Sequence, residues 1–360
     1  MSEDLNLHTH ARVAHISLNR PKAIHALNLE MCVGMSEALL AWRDNDAIEA
    51  VIIDHAEGRG FCAGGDVALL RNSAMEDGGA RGREFFHAEY RLNHLLFTYP
   101  KPVVAFMDGV TMGGGVGISQ PAQFRVATEN TKFAMPEGAI GLFPDVGAGH
   151  YLPRLPGQTG KFLALTGARL DGAECLWAGL ATHYIESDKL PEVKARIIAE
   201  PDKLAAILEE FSTEAPLARI EGNKRKIDKM FAPGTLEGII AALEKDDSAW
   251  AAKELAAVMA KCPMTSKVAL CQFAENADCR DFAANMAMEY RIASRMIMRP
   301  DFAEGVRAVL VDKDNAPQWQ PAKPEDISDE MVSDIFDPLP GDEEWTPFPQ
   351  LMEESSTAAS

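Results

Sequence analysis

Apolar positions change rhythm several times along the chain. "VAHISLN" (13–19) alternates apolar and polar residues and predicts a strand. "NLEMCVGMSEALLAWRD" (28–44) carries apolar residues at helical spacing behind Asn28, a residue type that caps helices. "AVIIDH" (50–55) and "KPVVAFMDG" (101–109) are short continuous apolar runs and predict buried strands, with further strands over 124–128, 132–135 and 182–186. The segment 82–98 reads as helix. Strands thus end repeatedly in Gly-rich turns that lead into helices, notably "EGRGFCAGGDV" (57–67) and "GVTMGGGVGIS" (109–119). That pattern predicts an α/β fold with functional loops gathered on one side of its sheets.

After about residue 188 the strand signal fades, and helical periodicity runs through "GTLEGIIAALEKD", "SAWAAKELAAVMAK" and "DFAANMAMEYRIASRMIM". The reading therefore divides the chain into an α/β core with the active site (1–188), a mainly helical region (189–337) and an acidic, Pro-rich tail (338–360). The final residues of that tail are expected to be disordered.

The 360 residues carry a formal charge of −19, which argues against a nucleic-acid surface, because phosphate contacts need clustered Lys and Arg. An anionic ligand must then be held by local donors against the overall field. The six cysteines form no CxxC pair or metal-ligand spacing and read as reduced, mostly buried thiols. No metal site is expected. The N-terminal stretch has no apolar signal core, its first charges are acidic, and no apolar run reaches the about 18 residues of a membrane span. A soluble, cytoplasmic protein without membrane or nucleic-acid partners is the expectation.

The glycine clusters fail as phosphate cradles. No Walker loop is present, and the fingerprint begun by Gly115 and Gly117 meets Gln at position 120. A Gly-rich turn at a helix start has another use: its unpaired N–H groups can stabilise an oxyanion, and two such turns can each supply one donor. The structural alternative is that these glycines only permit tight turns and close packing. Ser119 lies in "GISQP", which is not a nucleophile elbow; Cys62 reads as a packed thiol; the histidines form no HExxH, and His150 has a structural or rim role. The remaining anomaly is "FAMPEGAIGLFPDVGAG" (133–149), where Glu137 and Asp145 stand among apolar, Gly and Pro residues that penalise charge.

"GRGFCAGGDV", "GVTMGGGVGIS" and "KFAMPEGAIGLFPDVGAGHYLPRLPG" resemble the enoyl-CoA hydratase/isomerase (crotonase) superfamily, and within it the branch that hydrolyses 3-hydroxyisobutyryl-CoA. The likeness continues in "LNRPKAIHALN", "HAEYRLN", "LALTGARLDGAECLWAGLATHYI" and "DFAEGVRAVLVDKDNAPQWQP", covering nearly the whole chain. It implies a crotonase-like spiral of ββα units with a helical C-terminal region. It places the oxyanion hole at Gly65 and Gly114, retains the second superfamily acid as Glu137, and puts Asp145 where hydratases have glycine. The catalytic Glu of hydratases, two residues beyond the glycine triplet, is replaced here by Gly117. Glu89 matches a substrate-contacting position. The resemblance implies hydrolysis of a short acyl-CoA thioester, an intermediate of valine degradation, with no cofactor beyond the coenzyme A of the substrate.

On that basis Glu137 attacks the thioester carbonyl or activates water, both routes being open, while Asp145 positions the water or the substrate's 3-hydroxyl. In an apolar pocket one of the two acids is expected to hold its proton more tightly. The structural alternatives are an N-cap or buried ion pair for Glu137 and an N-cap for Asp145. Arg20 and Lys22 are weak candidates for the coenzyme phosphates, and Asp66 is expected to brace its turn. A homo-oligomer is compatible with the resemblance. The rival readings are an enoyl-CoA isomerase or hydratase-type enzyme, with Glu137 as the isomerase's sole base, and a non-catalytic acyl-CoA binding protein.

Overall fold

The computed structural model describes residues 3–276 and 281–351. The expected disorder of the last residues, and Cys279, lie outside the described residues.

A hairpin opens the chain: β1 (Leu5–His10) pairs antiparallel with β2 (Val13–Leu18). Helix α1 (Leu29–Arg43) follows, and Asn28 caps it by accepting from the Met31 N–H at 2.8 Å. Three successive units then each give one strand to each of two sheets before turning helical. The first is β3 (Ala50–His55) and β4 (Gly60–Cys62), followed by α2 (Val67–Glu76) and α3 (Ala80–Phe97). The second is β5 (Val103–Met107) and β6 (Val110–Met112), followed by α4 (Gly114–Ser119). The third is β7 (Phe124–Ala127) and β8 (Lys132–Ala134), followed by the single 3-10 turn Glu137–Ile140 and the short helix α5 (Ala148–Tyr151). Strand β9 (His183–Tyr184) completes the larger sheet, whose order is β1-β2-β3-β5-β7-β9. This is the ββα spiral that the resemblance implies.

The larger sheet explains the continuous apolar runs. Beyond the first hairpin its pairs are parallel, and it is buried on both faces. Val13, Ile52, Val104 and Phe106 pack with Leu190, Val193 and Ile197 of one flanking helix, while Ile16, Ile53, Ala105 and Met107 join the main core.

The smaller sheet positions the site. Its order is β4-β6-β8, and both pairings are parallel. Three neighbouring strands therefore release the chain at the same end, so the segments beginning at residues 63, 113 and 135 emerge side by side. Ligands gather at the carboxyl ends of parallel strands for this reason.

Beyond residue 186 the described chain is helical or irregular. Helix Phe282–Met296 packs along α3, and helix Pro263–Asn276 packs on α5. The first part of the tail is tied down: Trp345 is buried and donates to the His87 carbonyl at 3.3 Å, and Arg91 donates to the Thr346 carbonyl at 2.8 Å.

Candidate active site

Each of the three emerging segments brings one element of the site. After β4, the chain turns through Gly64 at φ +123° before Asp66 caps α2 by accepting from the Leu69 N–H at 3.1 Å. After β6, Gly113 takes φ +48°, a left-handed conformation that strains residues with a Cβ, and α4 begins at Gly114. The turns touch: a Cβ on Gly114 would lie 3.2 Å from the Gly64 carbonyl carbon. Among the described residues neither the Gly65 N–H nor the Gly114 N–H has a hydrogen-bond partner. Two free amides on adjoining turns are what an oxyanion hole requires.

Glu137 comes from the third segment, as the first residue of the 3-10 turn. Its Oε1 lies 3.2 Å from the place a Cβ on Gly113 would take. Glu89 reaches in from α3, with Oε1 only 2.5 Å from the corresponding point on Gly114. Asp145 follows in the loop 141–147 and accepts a 2.8 Å hydrogen bond from the Tyr90 hydroxyl. Gly65, Glu89, Gly114, Glu137 and Asp145 all line one small cavity of about 80 Å³, closed by Val67, Leu70, Ile140, Leu142 and Val146. Larger hollows among the described residues, such as those beside Trp250, Phe273 and Cys271, are lined by other groups.

The three carboxyls are all but inaccessible: Glu89 is 2%, Asp145 4% and Glu137 5% exposed. Burial and then the neighbouring charge of Asp145 hold Glu137 well above its ordinary value. Burial also pushes Asp145 up to about 7, although the Tyr90 hydroxyl pulls it back. Glu89 is likewise held well above its ordinary value, by burial and by the fields of Asp145, Glu137 and Glu289 in that order. Three carboxyls around one small space cannot all ionise together, so the cluster stores protons near neutral pH.

The structural alternatives for the acid pair do not describe these contacts. Pro136, not Glu137, occupies the cap position of its turn; among the described residues Glu137 makes no ion pair and its Oε2 has no partner. Gly147 occupies the cap position of α5, and the Asp145 carboxylate turns instead to Tyr90. Asp66 braces its turn as expected, accepting from Arg20 at 2.8 Å. Arg20 is thereby engaged and Lys22 is exposed, and neither reaches the cavity.

Gly117 explains the missing hydratase acid. A Cβ there would lie 2.7 Å from Val146 Cβ and 2.8 Å from Asn93 Nδ2, so the loop bearing Asp145 fills the space a glutamate would need. His150 packs against Phe97, Tyr151 and Phe282, a structural surrounding. Among the described residues no group of His, Cys, Asp and Glu is arranged to hold a metal ion, and no helix is long and apolar enough to cross a membrane.

Sequence reasoning passed over Tyr90 and Glu289. Tyr90 adjoins Glu89, and an acid at an apolar-facing position of "NMAMEYRIA" is a legible signal for Glu289. The same Glu-Tyr-Arg triplet occurs at 89–91 and 289–291, on two helices that pack together.

The family model for enoyl-CoA hydratase/isomerase matches residues 13–336. The chain is 43% identical to the Gallus gallus protein named 3-hydroxyisobutyryl-CoA hydrolase, mitochondrial, over 90% of this chain and 86% of that one. It is 41% identical to the Homo sapiens protein of the same name, with the same coverage, and 39% identical to Arabidopsis thaliana 3-hydroxyisobutyryl-CoA hydrolase 1, over 89% and 88%. Among solved structures, one described as a carnitinyl-CoA dehydratase from Mycobacterium thermoresistibile superposes with a TM-score of 0.92 at 37% identity, covering 97% of this chain and all of that one. An enoyl-CoA hydratase from Rhodobacter sphaeroides gives 0.89 at 35% identity, covering 96% and 100%. The chain belongs to the enoyl-CoA hydratase/isomerase family. The names of the vertebrate relatives point to the mitochondrion, which overturns the expectation of a cytoplasmic protein.

Proposed function

We propose that the protein hydrolyses a short acyl-CoA thioester, 3-hydroxyisobutyryl-CoA, to 3-hydroxyisobutyrate and free coenzyme A. The observation that carries the reading is the pairing of two free backbone amides with a buried Glu137–Asp145 couple in one small cavity. The names of the relatives at about 40% identity support the substrate.

In this reading the thioester oxygen lies between the Gly65 and Gly114 N–H groups, which stabilise the charge that develops on it. Glu137 either attacks the carbonyl carbon or takes a proton from the attacking water. On the general-base route the carbon–sulfur bond then breaks and the proton passes from Glu137 to the departing thiolate. On the covalent route attack by the Glu137 carboxylate expels the thiolate and leaves an anhydride, whose hydrolysis by water restores Glu137 and supplies the thiol proton. Asp145, oriented by Tyr90, positions the water or the 3-hydroxyl, and Glu89 contacts the acyl group. The cavity, far below the about 300–1,000 Å³ of pockets for drug-sized ligands, suits a short acyl chain. Gly117 favours hydrolysis over hydration, because the second acid of a hydratase has no room there.

A panel of short acyl-CoA esters assayed for free thiol tests the reading. Thiol release that is greatest with 3-hydroxyisobutyryl-CoA and collapses in Asp145→Asn supports it. Double-bond migration without thiol release would mark an isomerase, and binding without any turnover a non-catalytic protein. Single turnover in oxygen-18 water tests the covalent route: label appearing in Glu137 marks an anhydride.

A further inference from the structure

The residue after Asp145 is held in an uncommon conformation. Val146 has φ +53°, a region that a β-branched side chain occupies only when its surroundings force it there. Val146 lines the cavity, so whatever holds this turn also sets where Asp145 points.

The restraint comes from the C-terminal helices. Glu289, wholly buried on helix Phe282–Met296, accepts from the Gly147 N–H at 2.7 Å through Oε2 and from the Gly149 N–H at 3.1 Å through Oε1. Its Oε1 also accepts from Asn285 Nδ2 at 3.0 Å and Gln272 Nε2 at 3.0 Å. Gln272 reaches past Glu289 to the Pro144 carbonyl at 3.1 Å. The bracket thus grips the chain on both sides of Asp145. Gly149 permits the close approach: a Cβ there would lie 2.7 Å from both Asn285 Oδ1 and Gln272 Nε2. A buried carboxyl is expensive to maintain for packing alone, since burial pushes Glu289 up to about 8 even against the pull of the Gly147 amide.

We propose that Glu289 is a positioning residue for the hydrolysis, a bracket from the helical region that holds the turn 144–149 so that Asp145 faces the bound thioester. The inference rests on the functional reading above for the reaction, and on these contacts alone for the geometry. It makes the helical region part of the catalytic apparatus although none of its described residues lines the cavity.

The test is a double-mutant cycle on the full chain with Glu289→Gln and Asp145→Asn. Gln at 289 keeps the volume but turns an amide toward one backbone N–H, leaving that donor unpaired. The expected result is a fall in kcat of about 10- to 100-fold with KM and coenzyme A affinity within about threefold of wild type. In the Asp145→Asn background the same change is expected to cost almost nothing more, because both variants disable one group. Wild-type kcat in Glu289→Gln, or a full further loss in the Asp145→Asn background, overturns the proposal. Gln272→Leu, which removes the amide shared by Pro144 and Glu289, is expected to show a smaller loss with the same non-additivity, and it decides the matter if Glu289→Gln does not fold. If the wild type hydrolyses no acyl-CoA, the functional reading fails. The bracket is then judged by a crystal structure of Glu289→Gln: loss of the Tyr90–Asp145 hydrogen bond sustains it, and an unmoved Asp145 rejects it.

Discussion

Substituting Gly114 by alanine perturbs the proposed oxyanion hole with a single methyl group. The new Cβ would lie 2.5 Å from Glu89 Oε1, 3.1 Å from Leu27 Cδ1 and 3.2 Å from the Gly64 carbonyl carbon. Relaxed contacts of this kind lie near 3.5 Å, so a carboxylate oxygen must retreat by about 1 Å and the facing glycine turn by a few tenths. Glu89 is buried and its retreat is confined to the small cavity it lines, so the displaced carboxyl enters the space meant for the acyl group. Misplacing catalytic geometry by about 1 Å costs on the order of 100-fold, and losing one oxyanion donor costs about 10²–10³ in kcat. Gly114→Ala is therefore expected to lower kcat by about 10²–10³, while overpacking removes about 1–3 kcal/mol of stability and leaves the chain folded. Thiol release across substrate concentrations gives kcat and KM, and circular dichroism melting checks the fold. A folded variant with kcat within about threefold of wild type would refute the placement of the oxyanion hole at Gly114.

Other expectations follow from the same site. Tyr90→Phe removes the hydroxyl that holds Asp145 down, so the acid limb of the pH–rate profile should move to higher pH, and an unmoved limb would detach Tyr90 from the titrating pair. Gly117→Glu should not create a hydratase: with Val146 and Asn93 in the way it should destabilise the fold by about 1–3 kcal/mol, and water addition to an enoyl-CoA by this variant would contradict the packing account. Stability should also carry the sign of the buried acids. Asp145 is raised from near 4 to about 7, so its neutral form favours the folded state below about pH 4, and this contribution of up to about 4 kcal/mol is lost as pH rises through about 7. Urea midpoints measured from pH 5 to 8 should fall less steeply in Asp145→Asn than in wild type, and identical slopes would contradict the raised value. Asp54, lowered to about 2 beside His15 and Lys194, acts with the opposite sign and only at lower pH, so it does not obscure the comparison.

Most of the scaffold was legible where local rules govern. Asn28 announced α1, and the apolar runs at 50–55 and 101–109 became strands buried on both faces. Strands β4 and β6, three residues each, were read as parts of Gly-rich turns, because three residues are too few to display a period. Helix α2 also went unassigned, its apolar face being narrow, with only Leu70 and Ser73 buried. Strand β1 escaped because its outer half, exposed at the sheet edge, consists of His and Thr. The acid pair was visible as charge in an apolar setting. What converges on it was not: Tyr90 lies 55 residues from Asp145, and the amides that Glu289 grips lie 142 and 140 residues away from it. Such convergence depends on sheet order and helix docking, which no local pattern records.

Turnover of 3-hydroxyisobutyryl-CoA by Glu137→Gln and Asp145→Asn, beside wild type and with coenzyme A binding measured on the same samples, most directly tests whether the buried acid couple delivers water to the thioester. The account predicts that thiol release falls by orders of magnitude in both variants while binding and fold persist. Near wild-type turnover in either variant would contradict it.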